Sequence, residues 1–430
     1  MSACTAGTGS HEAEPVALTT LPPLTTTTST TTTTTTTMPP RFTLEGIVVA
    51  PDGTPLDHAV VTATGDTAEG DLATVTGSDG AFSLEEVPAS TVLVTRPGWE
   101  PAELAFDGSA GPLQVTLQPR RVRALRVIAA AAADPATFAS LLEMADSSDV
   151  NALVFDAKDE AGAVYYATEV QEAADIGAIE PLYDPAELLT EAHRHDLYTI
   201  GRIAVFEDPV RARRRPEHKL AGSWMDPADE SNWEYPLQLA VEACTLGFDE
   251  IQFDYVRFPA GVTGQAARSS HPTTQAERIA AVVGFLDEAR ARLHPVGCAV
   301  AADIFAIVLS APDDQGIGQR PEELSEAVDV VSPMVYPNHY DDGWLGFADP
   351  ADHPGEVVAD ALDDGMVRLV GTAVLRPWLQ AFSYSSGSIL AEIAESEQRD
   401  LGWMLWNPGS RYDTESLPVA AEPPDDASTP

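Results

Sequence analysis

Residues 249–259, DEIQFDYVRFP, place a carboxylate, a phenol and a guanidinium side by side: Asp254, Tyr255 and Arg257. Ile251 and Phe253 alternate with Gln252 and Asp254, and Pro259 stops the run, the pattern of a short buried strand whose last residues leave the sheet. This trio at a strand end suits a polar ligand better than a core. Hydrolysis of a glycosidic bond needs two carboxyl groups, one to protonate the leaving oxygen and one to attack the anomeric carbon or activate water. Asp254 is the first candidate. Asp303, at the end of CAVAADIFA, is the second. At adjacent strand exits the two carboxyls stand roughly 5–9 Å apart, which fits this chemistry. Arg257 or Lys158 can keep one ionised, while burial near Tyr336 raises the pKa of the other. The competing role for Asp303 is a helix N-cap or an ion-pair partner.

Other strand ends carry similar side chains. Asp156 and Lys158 close NALVFDAK, Arg202 lies in YTIGRIAVF, and Tyr336 and His339 lie in VVSPMVYPNHY. Trp378 and Gln380 belong to LRPWLQ, and Trp406 and Asn407 to GWMLWN. Aromatic faces that stack on pyranose rings, together with polar groups that bind hydroxyls, make up a sugar site. Each residue has a plainer role as well. Lys158 can pair with Asp156, Arg202 can be structural, His339 can hold a loop, and both tryptophans can be core. No metal or other cofactor is required by a two-carboxylate scheme, and Asp156 and Asp159 beside a lysine read as ion-pair partners rather than metal ligands.

These residues need a scaffold that gathers strand ends. From residue 121 onward, strand and helix patterns alternate. Strands are expected at 122–129, 151–158, 198–206, 250–254, 298–306, 329–337, 374–382 and 402–407. Helices are expected at 135–148, 185–195, 232–247, 273–293, 321–328, 353–371 and 388–400. Eight strands in about 290 residues predict an α/β fold, a (β/α)8 TIM barrel, whose chemistry lies at the C-terminal strand ends. An open doubly wound sheet is the runner-up. No Gly-rich phosphate loop follows any strand, which weakens nucleotide-binding folds.

The remaining segments are of other kinds. Residues 41–118 alternate in short runs with turn signals every 8–12 residues or so, a small all-β sandwich. Trp99 there reads as a packed loop aromatic. Residues 1–40 form a Thr/Pro-rich linker expected to be a disordered stalk, and residues 419–430 a disordered tail. The barrel is assigned to residues 119–418. The chain carries 67 acidic and 24 basic residues, a formal net charge of -43. That field repels polyanions and disfavours nucleic acid as a partner. No run reaches the ~20 apolar residues that span a bilayer. Cys244 and Cys298 are expected as buried free thiols. Cys4, in MSACTAG, follows small residues and precedes a polar linker, as in a lipoprotein cleavage box with the true start upstream. A lipid anchor on Cys4 would place the protein outside the cell or on its surface; the competing reading is an incidental cysteine.

Residues 41–118 resemble the carboxypeptidase regulatory-like domain in their opening Gly46-Ile47-Val48, PDGTPLDHAVVTATG and SDGAFSLEEVPAS. Residues 122–412 resemble a bacterial family of glycoside hydrolase-like barrels, through NALVFDAKDEAGAVYY, YTIGRIAVFEDP, GFDEIQFDYVRFP, AADIFAIV, GIGQRPEELSEAVDVVSPMVYPNHY, LRPWLQAF and GWMLWNPGSRY. The resemblance implies a TIM barrel acting on a cell-wall or extracellular polysaccharide. It maps the site onto Asp156, Lys158, Arg202, Asp254, Tyr255, Arg257, Asp303, Tyr336, His339, Trp378 and Gln380. Two departures stand out. LRPWLQ is typically followed by Asp-Phe, and here by Ala381-Phe382; FKDP is here FEDP, with Glu207. Both leave open a non-catalytic polysaccharide-binding protein of the cell surface. The oligomeric state is not legible.

Overall fold

The computed structural model describes residues 40–64, 71–108 and 111–419. The Thr/Pro-rich linker, Cys4 and the tail beyond residue 419 lie outside them.

Eight parallel strands close into a barrel. In chain order they are Arg123–Val127, Ala152–Lys158, Tyr198–Ala204, Glu250–Asp254, Ala299–Phe305, Val330–Val335, a seventh in two pieces, and Trp403–Trp406. Closure is explicit, since Ala124 of the first strand pairs with Met404 of the eighth. An open sheet is thereby excluded. Period-two alternation sorts the side chains. Ile251 and Phe253 join the large cluster under the helices, while Gln252 points inward and donates to Ser332 Oγ at 3.3 Å. Ala124, Val154, Ile200, Trp378 and Met404 pack as a separate interior cluster.

The seventh strand was expected as one run over 374–382. It forms as Val374–Leu375 and Trp378–Gln380. Pro377 between them has no N–H to give to the ladder, so the strand breaks there. Helix starts follow local chemistry: Asp134 and Asp184 cap Pro135–Asp146 and Pro185–Arg194 through their carboxylates, and Thr274 with Glu277 closes a capping box on Gln275–Leu293. The expectation of free thiols is corrected: Cys244 and Cys298 are joined in a disulfide. The helix Glu234–Leu246 packs against the strand sector that Cys298 enters, which brings together two cysteines 54 residues apart.

Residues 41–118 form the expected sandwich. Strands Ala81–Pro88, Arg41–Val49 and Leu113–Thr116 make one sheet; Leu72–Val75, Val60–Thr64, Ser90–Thr95 and Ala102–Phe106 make the other. Trp99 is packed at 5% exposure in their shared core. The sandwich meets the barrel at its floor, the N-terminal ends of the strands. Arg96, on the sandwich side, donates to the Asp57 backbone oxygen at 2.8 Å and stands 3.6 Å from Asp329, which precedes the sixth strand. Arg290 reaches Asp57 at 3.1 Å, and His294 reaches Asp329 at 2.8 Å.

Candidate active site

A cavity of about 540 Å³ opens at the C-terminal strand ends, with Arg202, Asp254, Tyr255, Arg257, Tyr336 and Trp406 among its walls. The interior layer beneath it is a chain of charges. Arg126 Nη2 is 2.6 Å from Asp156 Oδ2, and Arg202 Nη1 is 3.0 Å from Asp156 Oδ1. Arg202 then reaches Asp254 Oδ2 through Nε at 3.0 Å and through Nη2. Its Nη2 also meets Glu160 at 3.2 Å. Trp406 covers the layer, with Arg126 3.8 Å and Arg202 5.0 Å from its ring centre. Fully buried guanidinium and carboxylate groups are tolerable only when paired in this way.

Asp254 is the last residue of the fourth strand and 4% exposed. Its other oxygen, Oδ1, accepts the Tyr255 backbone N–H at 2.6 Å. Tyr255 has φ +52°, a left-handed turn unusual for a tyrosine. That turn lets both Asp254 and Arg257, three residues apart, line one cavity. Arg257 is clasped by aromatic rings, with its guanidinium carbon 4.3 Å from the Phe305 centre and 4.6 Å from that of Trp224.

Asp303 lies one step beyond the Phe253–Ala302 register pair, on the strand beside Asp254. It is 1% exposed and is not part of the cavity wall. Trp378 Nε1 donates to its Oδ1 at 2.9 Å, while Oδ2 has no partner. Burial, and then the neighbouring Asp254 charge, push the Asp303 carboxyl well above the usual range, against the pull of Arg202. Burial there favours its protonated form. Burial raises the Tyr336 phenol as well, and an ionised Asp303 or Asp254 would add to that shift, so these three groups share one electrostatic neighbourhood.

The other residues singled out from the sequence divide. Tyr255, Tyr336, His339 and Trp406 face the cavity with Arg202, Asp254 and Arg257. Asp156 sits beneath it between two arginines. Trp378 is fully buried and holds Asp303, which makes it barrel core rather than a sugar platform. Gln380 is buried and braces loops, accepting from the Asn338 N–H at 3.3 Å and donating to the Phe382 oxygen at 3.1 Å. Asn407 ties the Ala381 oxygen and Arg411 N–H in a different cavity of about 620 Å³, behind the seventh strand.

Lys158 is also elsewhere. A register shift after Asp156 turns it to the outer face, where its ammonium meets Asp208 at 3.1 Å and the Ala204 oxygen at 2.8 Å. Arg376 is paired with Glu250 at the start of the fourth strand, near the floor. Two residues escaped the sequence reading. Glu160 stands at the second strand's exit, beside the chosen Asp156. Trp224 comes from a small hairpin inserted after the third strand, marked only by the turn pair Gly222-Ser223. Ala381, the site of the missing carboxylate, lines the rear cavity and not that of Asp254.

Residues 124–412 match the family described as "Putative glycosyl hydrolase domain", and residues 43–127 match "Carboxypeptidase regulatory-like domain". No curated protein matches the chain. Among solved structures, a hypothetical protein from Ruminiclostridium thermocellum is 29% identical, over 41% of this chain and 96% of that one, with a TM-score of 0.36. The glycoside hydrolase domain of PelA from Pseudomonas aeruginosa is 14% identical, over 68% and 97%, with a TM-score of 0.41. A chitinase from Chromobacterium violaceum is 13% identical, over 69% and 97%, with a TM-score of 0.44.

Proposed function

Because the chain belongs to the glycosyl hydrolase domain family matched over residues 124–412, we propose that it is an exported glycoside hydrolase acting on a cell-wall or extracellular polysaccharide. The observation that carries this reading is the pair Asp254 and Asp303. They stand on adjacent strands, one ion-paired with Arg202 and facing the cavity, the other buried where its pKa is pushed up. Two carboxyls in such unlike environments, one ion-paired and one buried without a cationic partner, suit the acid and base of such chemistry. Asp254, paired with Arg202, attacks the anomeric carbon or activates water. Asp303 holds the proton destined for the leaving oxygen. Arg202 fixes Asp254, and Trp406 offers an aromatic face at the cavity wall.

Export is supported by the Cys244–Cys298 disulfide, since such bonds persist in oxidising compartments. A Thr-rich stalk and a lipid-anchored Cys4 are consistent with a cell-surface location. The second reading, a non-catalytic polysaccharide-binding surface protein, is favoured by one observation: Asp303 is closed off from the cavity.

The test is reducing-end release by the whole chain from a panel of bacterial cell-wall and capsular polysaccharides, run beside Asp254→Asn. Release that disappears in the variant upholds the hydrolase. Binding with no release from any glycan upholds the second reading.

A further inference from the structure

Seven arginines are buried among the described residues. Six have a carboxylate within ion-pair distance: Arg96 with Asp57, Arg126 with Asp156, Arg202 with Asp254, Arg211 with Glu172, Arg278 with Asp314 and Arg376 with Glu250. Arg257 has none. It is 7% exposed, lines the cavity three residues from Asp254, and makes one hydrogen bond, from Nη1 to the Phe258 oxygen at 3.1 Å. Its Nε and Nη2 make none. In a chain with 67 acidic residues, a lone buried guanidinium is not explained by a shortage of carboxylates.

We propose that Arg257 is an anion subsite that receives the carboxylate of one uronic acid residue in the substrate. This deepens the glycosidase reading and rests on it. The free Nε–Nη2 edge is the planar fork that matches a carboxylate with two parallel hydrogen bonds. Phe305, Trp224 and Tyr255 lie 4.3, 4.6 and 5.4 Å from the guanidinium carbon. They hold the cation by its faces and keep its orientation fixed without neutralising it. Burial pulls the Arg257 pKa down, with Asp254, Tyr255 and Glu207 opposing, so an arriving carboxylate favours the charged form. The Glu207 carboxylate, held by Ser223 Oγ at 2.9 Å, is the nearby acid that competes with it. The net charge of -43 repels a long polyanion. Recognition is therefore confined to one carboxylate at one place, most readily on a sparsely acidic glycan.

The experiment is calorimetric binding to the whole chain of di- and trisaccharides that carry one uronate, beside the same sugars after chemical reduction of the carboxyl to the alcohol. The acid forms should bind about tenfold or more tightly than the reduced forms. Arg257→Gln should lose that discrimination, and Arg257→Lys should recover part of it. The comparison of acid and reduced sugar on the unaltered protein stands even if Arg257→Gln does not fold. Equal binding of the two forms, no binding of either, or equal binding of sulfated or phosphorylated analogues overturns the proposal. Discrimination without hydrolysis of any glycan would remove the glycosidase reading and keep this one. Hydrolysis that treats acid and reduced sugars alike would do the reverse.

Discussion

The two ends of the barrel are both lined with buried charge, yet they are finished differently. At the floor every charged side chain named has an opposite partner: Arg376 with Glu250, Arg96 with Asp57 and Asp329, Arg290 with Asp57, His294 with Asp329. The sandwich supplies Asp57 and Arg96 and joins the ring. Single atoms without a hydrogen bond occur at both ends, Arg96 Nη1, Asp329 Oδ1 and Arg376 Nε at the floor and Asp303 Oδ2 and Tyr336 Oη at the mouth. At the mouth the chain from Arg126 to Asp254 is also paired, but among the described residues Arg257 and Asp303 have no oppositely charged partner at all. A buried polar group short of a partner is costly, and costs of this kind persist where a ligand or a reaction uses them. The floor's charges thus hold the domains together, and the mouth's are available for chemistry.

The sharpest break between the two ends should appear in turnover. Asp303→Asn keeps shape and loses the proton, so cleavage should slow about 10²–10⁴-fold for sugars with poor leaving groups. Aryl glycosides with good leaving groups need little proton donation and should be affected far less. The raised Asp303 pKa fixes the pH sign: activity holds while the group is protonated and falls as pH rises through its folded value. Equal slowing on both substrate classes would deny Asp303 the role of acid and return it to a structural partner of Trp378.

Much of this division was legible in the sequence, and the failures have local causes. The barrel could be read because short apolar strand runs and helical patterns take turns along the chain, and some helices start at a cap such as Asp134, Asp184 or Thr274. The residue types at the mouth could be read because Asp254, Tyr255 and Arg257 fall within four residues at one strand exit. Their partners could not. Strict alternation puts Asp156 and Lys158 on one face, and a single irregularity between them sends Lys158 to Asp208 on the other. The disulfide left no local trace, because Cys244 and Cys298 meet only once a helix packs on the barrel.

The floor should answer in stability. Asp329→Ala strips His294 of its carboxylate, leaves Arg96 with Asp57 alone, and frees the buried Val300 N–H that it accepts. Breaking one side of such a buried network costs about 3–5 kcal/mol. Urea unfolding of the whole chain should show that loss, with turnover per folded molecule unchanged. Asp254→Asn should do the opposite, because Arg202 keeps Asp156 and Glu160 as partners. Equal stability losses in the two variants would erase the distinction between the ends.

The smallest expected effect concerns Glu392, which supports the mouth from behind. It is buried in the helix Ser386–Glu397, and its Oε2 accepts the Gln380 N–H at 2.9 Å while Oε1 has no partner. Burial raises its pKa well above the usual carboxylate value, the hydrogen bond from Gln380 opposing. The folded chain therefore holds this proton more tightly than the unfolded chain, whose glutamates titrate near 4.3. The group's contribution to stability is fully present below that value and is lost as pH rises through the folded pKa, at up to about 1.4 kcal/mol per pH unit. Glu392→Gln keeps the acceptor for Gln380 and removes the proton. The stability of the variant relative to the original should therefore rise with pH across that window, read as a growing gap between urea midpoints. Parallel midpoints from acid to neutral pH would mean that Glu392 is ionised in the fold, and that the mouth carries one more unpaired charge than its geometry allows.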